Sequence, residues 1–268
     1  MIKIRLVSFI IFLISFNSNR TFSQTSNLVS QENMLVNLYS KIETNQQDDY
    51  DKLIDNNKKF QLELANVLKS NPASLNYSFK KLGDFGHFEI QTSKDGNFRI
   101  YSWDTWTGGT MHFYRNMYQW KSKGKVFIKY SEYSEKEEDD CGFYCTKIYT
   151  SLIAKKTYYL AITGATFSTK DAMQSITAYK SGENNQIDTI KLFKTKTNML
   201  SCIDVAYDIF SVADRTERPF ELITYDDKQK IIYIPVVNNE GQVSDKNILY
   251  KLKDGCFEFI GIEKGTRR

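Results

Sequence analysis

Residues 95–120 read D-G-N-F-R-I-Y-S-W-D-T-W-T-G-G-T-M-H-F-Y-R-N-M-Y-Q-W. The stretch holds all three tryptophans, one of the two histidines, a Gly-Gly pair and a dense run of Tyr and Phe. Upstream, residues 88–92 alternate, with Phe88 and Ile90 set against Glu89 and Gln91. Asp95-Gly96 supplies turn chemistry, because both residue types tolerate positive φ at low cost. Beyond it, Phe98, Ile100 and Ser102 face one way, and Arg99, Tyr101 and Trp103 the other. This pattern predicts a β-hairpin. Residues 104–109 form a second turn, in which Gly108-Gly109 free the backbone from Cβ clashes and Gly109 is expected to resist a β-branched residue. A third strand is expected over 110–119.

Working outward, residues 30–70 carry apolar residues at helical spacing. Met34, Leu35, Leu38 and Ile42 mark one helix. Leu53, Ile54, Phe60, Leu64, Val67 and Leu68 mark a second, stopped by Asn71-Pro72. Ser30 with Asn33 gives a partial capping signal for the first. Beyond residue 86 the composition shifts to the strand formers Tyr, Ile, Thr, Phe and Val. Strands are expected at 126–130, 147–153, 158–163, 175–180, 187–193, 202–210, 221–225, 231–237, 247–252 and 257–260, with a helical turn at 171–174. The resulting fold is mainly β with an N-terminal helical pair (α+β). Its sheet is an antiparallel meander, barrel- or sandwich-like. Asp254-Gly255-Cys256-Phe257 echoes Asp95-Gly96-Asn97-Phe98, which turn preference explains better than duplication.

The chain divides into a signal peptide at 1–23, a helical hairpin at 24–72 and an antiparallel β domain at 73–268. Lys3 and Arg5 precede an apolar run over 6–16, too short for the roughly 20 residues of a spanning helix. Thr21-Phe22-Ser23 offers a small-x-small cleavage site ahead of Gln24. The mature protein is therefore expected to be exported, periplasmic or secreted, with no membrane span. Removing Lys3, Arg5 and Arg20 from the formal net charge of +4 leaves +1. Clustered Lys/Arg is missing, which argues against a nucleic-acid partner.

Residues 99–111, R-I-Y-S-W-D-T-W-T-G-G-T-M, resemble a signature of a group of exported bacterial proteins that carry no assigned activity. The resemblance extends loosely over 73–259. It implies a genuine exported domain and names no catalytic residues.

For chemistry, two readings of the central stretch stay open. Arg99, Tyr101, Trp103, Asp104, Trp106 and His112 could form a ligand platform, the aromatics stacking on a sugar or peptide while the polar groups give direction. Alternatively the aromatics are core and cross-strand pairs. The four cysteines of an exported chain suggest disulfides, with Cys141 and Cys145 closing a small ring around Gly142, and Cys202 and Cys256 either paired with each other or both free. With only His87 and His112 available, zinc is not expected. The acidic run at 132–140 lacks the spacing of a calcium loop and reads as a solvated hairpin tip. No nucleophile elbow, Walker motif or dinucleotide fingerprint occurs, so no cofactor is expected. The function expected is a non-catalytic, β-rich binding or structural envelope module for an unknown ligand or envelope partner. The alternative is an envelope or polysaccharide hydrolase using Asp104 and a second carboxylate, for which Asp204, Asp208 and Glu221 are the unplaced candidates.

Overall fold

A computed structural model describes residues 27–44, 49–132, 141–182, 185–213 and 221–264. The expected signal segment, most of the acidic run and the break between the two helices lie outside these residues.

Helix α1 covers residues 27–44 and α2 is Tyr50–Ser70. Asp49 caps α2 by accepting from the Lys52 amide at 3.0 Å, the preferred Ncap arrangement. Asn71 ends the helix, and Pro72 opens a 3-10 turn at Pro72–Asn76. Ser30, expected as a cap, lies inside α1, and Met34 is exposed. The expected Leu35, Leu38 and Ile42 of α1 are buried, joined by Leu28 and Tyr39, together with Leu53, Phe60, Leu64 and Leu68 of α2. A one-turn helix, α3, follows at Lys80–Gly83.

The first sheet is a meander of β1 (Phe88–Thr92), β2 (Phe98–Asp104), β3 (Tyr114–Ser122) and β4 (Lys125–Tyr130). The second has the order β11-β7-β6-β5, with β5 at Tyr144–Ile153, β6 at Lys156–Thr166, β7 at Asp171–Ser181 and β11 at Cys202–Asp208; β8 (Ile187–Thr189) pairs with β7. The third has the order β10-β9-β15-β14-β13-β12, from β9 (Phe193–Lys194), β10 (Met199–Leu200), β12 (Thr224–Asp226), β13 (Ile231–Val237), β14 (Val243–Lys253) and β15 (Cys256–Lys264). Every pairing is antiparallel except β9 with β15. The described sheets close no barrel.

The layers follow from the two faces of each strand. Tyr101 and Trp103 of β2 join the helices' core with Phe60, Phe79 and Phe88. Phe98 and Ile100 point the other way, against Cys145, Ile148, Tyr159 and Tyr179 of the second sheet. That sheet's opposite face, with Leu160, Ile162 and Ile176, meets Ile232, Ile234, Tyr250 and Phe257 of the third. Helices and three sheets thus stack in four layers, and all seven residues of β2 are buried.

Several expectations need correction. The run 187–193 is not one strand: β8 belongs to the second sheet and β9 to the third, so the chain changes layer between them. Residues 171–174 are the start of β7, not a helical turn, while residues 210–213 form a short helix, α4 (Phe210–Ala213). The third strand begins at Tyr114 rather than residue 110. No disulfide joins Cys141 and Cys145; both thiols are reduced. The reason is strand placement. Cys145 lies on β5 with its side chain in the core between the first two sheets. The Cys141 carbonyl, upstream, accepts from the Tyr114 amide at 2.8 Å. Gly142 does take φ +64°, but its bend presses it against the Tyr114 carbonyl, which would lie 2.2 Å from a Cβ there. Burial pushes the Cys145 thiol up, away from reactive thiolate character. The Asp254-Gly255 echo is a different turn, with both residues at positive φ whereas at the first hairpin only Gly96 is, which fits its reading as turn preference and not duplication.

Candidate functional site

Six residues were candidates for one platform, with core packing of the aromatics as the other reading. The structure separates them into two groups. Arg99, 5 % exposed, donates to the carbonyls of Ser74 at 3.0 Å and Tyr77 at 2.6 Å and to the Thr92 hydroxyl at 2.6 Å, clamping the 3-10 turn onto β2. Tyr101 is fully buried and donates to Gln119 Oε1 at 2.9 Å. Burial pushes the Tyr101 phenol up to about 12. Trp103 is fully buried, edge-on to Phe60 at 5.4 Å. These three are core, placed there because odd positions of β2 face the helices.

Asp104, Trp106 and His112 come together at one corner of the first sheet, where β2 runs out and the loop to β3 begins. Asp104 is 1 % exposed. Its Oδ1 accepts from the Trp106 amide at 2.9 Å, an Asx turn that holds Trp106 at φ +58°. A bulky residue in the left-handed region is a strained one. Its Oδ2 lies 2.5 Å from His112 Nδ1. This contact fixes the orientation of the imidazole ring against the carboxyl group. The His112 side chain is 27 % exposed.

The loop between them is held from three directions. Asn57 of α2 donates to the Thr105 carbonyl at 2.8 Å. The Thr105 amide and hydroxyl both reach the Phe113 carbonyl at 2.8 Å. The His112 amide donates to the Thr166 carbonyl of β6 at 3.1 Å. Gly108 is the glycine that this closure requires, since a Cβ there would lie 2.0 Å from the Met111 carbonyl oxygen. Gly109, the expected one, has open space around it and no positive φ. Among the described residues, the amides of 108–111 make no hydrogen bond.

Neither a family model nor a curated protein matches this chain. Function must therefore be argued from the corner itself.

His87 completes the corner, and nothing in the central motif pointed to it. Exposed in the segment just before β1, it lies edge to face with Trp106 at 4.6 Å and parallel to His112 at 6.0 Å. The ring of Tyr114 continues the stack at 6.1 Å from His112. Beneath, the buried Tyr39 hydroxyl donates to the carbonyls of His87 at 3.1 Å and Asp104 at 3.3 Å, tying α1 to both strands. Burial first, then the nearby Asp104 and Glu43 charges, push the Tyr39 phenol far up, so it serves as a donor. Burial raises the carboxyls of Glu43 and Glu89; His87 acts against that rise at Glu43, and the Gln91 side chain and then His87 do so at Glu89. No cluster of three metal-ligating residues exists among the described residues. Of the carboxylates expected to partner Asp104, Asp208 pairs with Lys170 at 3.6 Å, Glu221 with Lys147 at 3.2 Å, and Asp204 accepts from the Cys202 thiol at 3.0 Å.

Proposed function

We propose that the protein is a non-catalytic, β-rich binding module exported to the bacterial envelope, taking its ligand at the corner built from Trp106, His87 and His112. The observation that carries this reading is how Asp104 is used. Both its oxygens are engaged and it is 1 % exposed, so it fixes the shape of the corner and presents no carboxylate to a substrate. Glycoside hydrolysis needs two carboxyl groups facing the scissile bond across a gap of about 5–10 Å. This use of Asp104 speaks against the hydrolase reading, in which it would be the acid. What remains is an aromatic and imidazole surface with a few directed polar groups, the usual makeup of a binding site.

Trp106 provides the test. Trp103 is fully buried and Trp120 is 4 % exposed, whereas Trp106 is half-buried, its indole nitrogen buried and its ring packed against the helices' core. A ligand at the corner should protect Trp106 from acrylamide quenching, and Trp106→Gly should remove that signal. Trp106→Gly suits the positive φ but removes packing against the helices' core, so near-UV circular dichroism is needed to show that the variant still folds. Turnover of polysaccharide that stops on Asp104→Asn, in protein that still folds, would favour the hydrolase instead.

A further inference from the structure

Independently of the corner, we propose that the free edge of β4 docks an extended peptide of a partner protein as a fifth strand of the first sheet, with acidic residues two positions either side of an apolar one. Hydrogen-bond parity gives the first support. β4 is the outermost strand of its sheet and pairs with β3 in one register, from Ser122 with Lys125 to Met117 with Tyr130. The turn between them is Lys123-Gly124, at φ +48° and +80°. In a two-residue hairpin of this kind the closing residues, here Ser122 and Lys125, form a hydrogen-bonded pair. Such pairs alternate along a ladder, so Lys125, Phe127 and Lys129 spend their backbone groups on β3. The Lys121 amide, in the opposite phase, turns away to the Asn97 carbonyl at 2.8 Å, as this parity requires. Val126, Ile128 and Tyr130 are left with N–H and C=O groups aimed outward, a template for another strand. Among the described residues no backbone bond outside the ladder engages them. The third sheet's edges differ: β10 and β12 are two and three residues long, and β15 bulges where it passes Leu249 and Tyr250.

Side chains give the second support, and they choose the occupant. Ile128 and Tyr130 turn toward the helices' core, which holds the edge in place, and Phe127 turns toward the second sheet. Lys125 and Lys129 share the face of Phe127 and are exposed. Neither makes an ion pair among the described residues, and no Asp or Glu occurs between 116 and 131. A second copy of the chain fits poorly. Two-fold antiparallel pairing centred on Phe127 would set each Lys125 against a Lys129, and like charges directly opposite are destabilising. An acidic strand complements both lysines. Its intervening apolar residue falls opposite Phe127, whose half-buried ring is stacked on Trp120 at 5.9 Å.

The experiment titrates the full chain with three end-blocked peptides: Thr-Glu-Val-Tyr-Val-Glu-Thr, the same peptide with both valine amides N-methylated, and the same peptide with both glutamates replaced by lysine. Antiparallel addition sets the tyrosine opposite Phe127, the glutamates opposite Lys125 and Lys129, and the valines opposite Val126 and Ile128, whose outward groups they bond. NMR titration gives the affinities, and amide hydrogen exchange reports the new strand. The result expected is that the acidic peptide slows exchange at Val126, Ile128 and Tyr130 and leaves the Trp106 and His112 signals in place. N-methylation and the lysine replacement should each weaken binding tenfold or more, about 1.4 kcal/mol. The double variant Lys125→Glu with Lys129→Glu should reverse the preference and favour the lysine peptide, with near-UV circular dichroism showing that it folds. Equal binding of the N-methylated peptide would overturn strand addition, and equal binding of the lysine peptide to the native chain would overturn the acidic pattern. The proposal also falls if no peptide slows exchange at the three amides, or if peptide moves Trp106 or His112 instead. A chain that elutes as a dimer with those amides already protected would assign the edge to a second copy and overturn it as well.

Discussion

Replacing Gly108 and Gly109 one at a time by alanine should have opposite effects. A Cβ on Gly108 would stand 2.0 Å from the Met111 carbonyl oxygen, 2.7 Å from Phe113 Cδ2 and 3.1 Å from the Met111 carbonyl carbon. Ordinary carbon contacts need about 3.5 Å, so the backbone at Met111 must retreat by at least about 1 Å. That backbone leads directly into His112, whose amide is bonded to Thr166. Overpacking of this kind costs about 1–3 kcal/mol. Gly109 has nothing within 4 Å of its would-be Cβ and no positive φ. Gly109→Ala should therefore be neutral or stabilise by about 0.4–1 kcal/mol, through a less flexible unfolded chain. Urea denaturation followed by tryptophan fluorescence reads both as shifts in midpoint at unchanged slope. Equal damage from the two variants, or a tolerated Gly108→Ala beside a harmful Gly109→Ala, would refute this account of the loop.

Three further outcomes are expected. Asp95 sits in the first hairpin turn. Although burial raises its carboxyl, hydrogen bonds from Ser93, Asn97 and Tyr159 win and hold it below the usual range. A folded value below the unfolded one contributes stability above the unfolded pKa of about 3.9 and loses it as pH falls through the folded value; the stability gap between native protein and Asp95→Asn should therefore narrow in acid, and a gap that widened there would contradict this. Glu32 of α1 is 3 % exposed and accepts from the amides of Lys81 at 2.7 Å and Leu82 at 3.4 Å and from the Tyr77 hydroxyl at 2.7 Å, capping α3, which has no side-chain cap of its own; Glu32→Ala should cost about 1–3 kcal/mol in denaturation, by leaving those donors unpaired. Ala154 and Lys155 join β5 to β6 with φ of +48° and +63°; Ala154→Asn with Lys155→Gly should stabilise by about 1–2 kcal/mol, measurable as a raised Tm, because an L side chain is strained in the left-handed region and Asn-Gly suits it.

How much the sequence revealed depended on whether the deciding interaction was local. The alternation along β2 was legible, and Phe98 and Ile100 do oppose Tyr101 and Trp103. Period-2 patterning is a property of the strand alone. Which face meets solvent was not legible, because both are covered, one by helices and one by the second sheet. Arg99, Tyr101 and Trp103 therefore passed for site residues although burial makes them core. The break between β8 and β9 escaped for the same reason, since it is a change of layer within a continuous apolar run. The turn at Ala154-Lys155 escaped because neither residue carries the usual signal for positive φ.

The candidate site was legible by half, and Asp104 shows why. A Trp-Asp-Thr-Trp run identifies a charged residue among aromatics, but it does not say that both carboxylate oxygens are already engaged. In the fold, one oxygen binds two residues onward and forces Trp106 into a strained backbone, while the other crosses the loop to His112. The first bond is local and could be guessed as an Asx turn. The second depends on Gly108 letting the loop close, and on Asn57 and Thr166 holding it from α2 and β6. His87 joins only because Tyr39 of α1 binds its carbonyl and that of Asp104 together. The corner is thus assembled by three layers at once. Its outer groups are the exposed His87 and the half-buried Trp106 and His112, and its buried groups are those that set their orientation. A mutation at Asp104 or Tyr39 should change what the corner presents without touching a ligand, whereas loss of Trp106 should also remove packing against the helices' core.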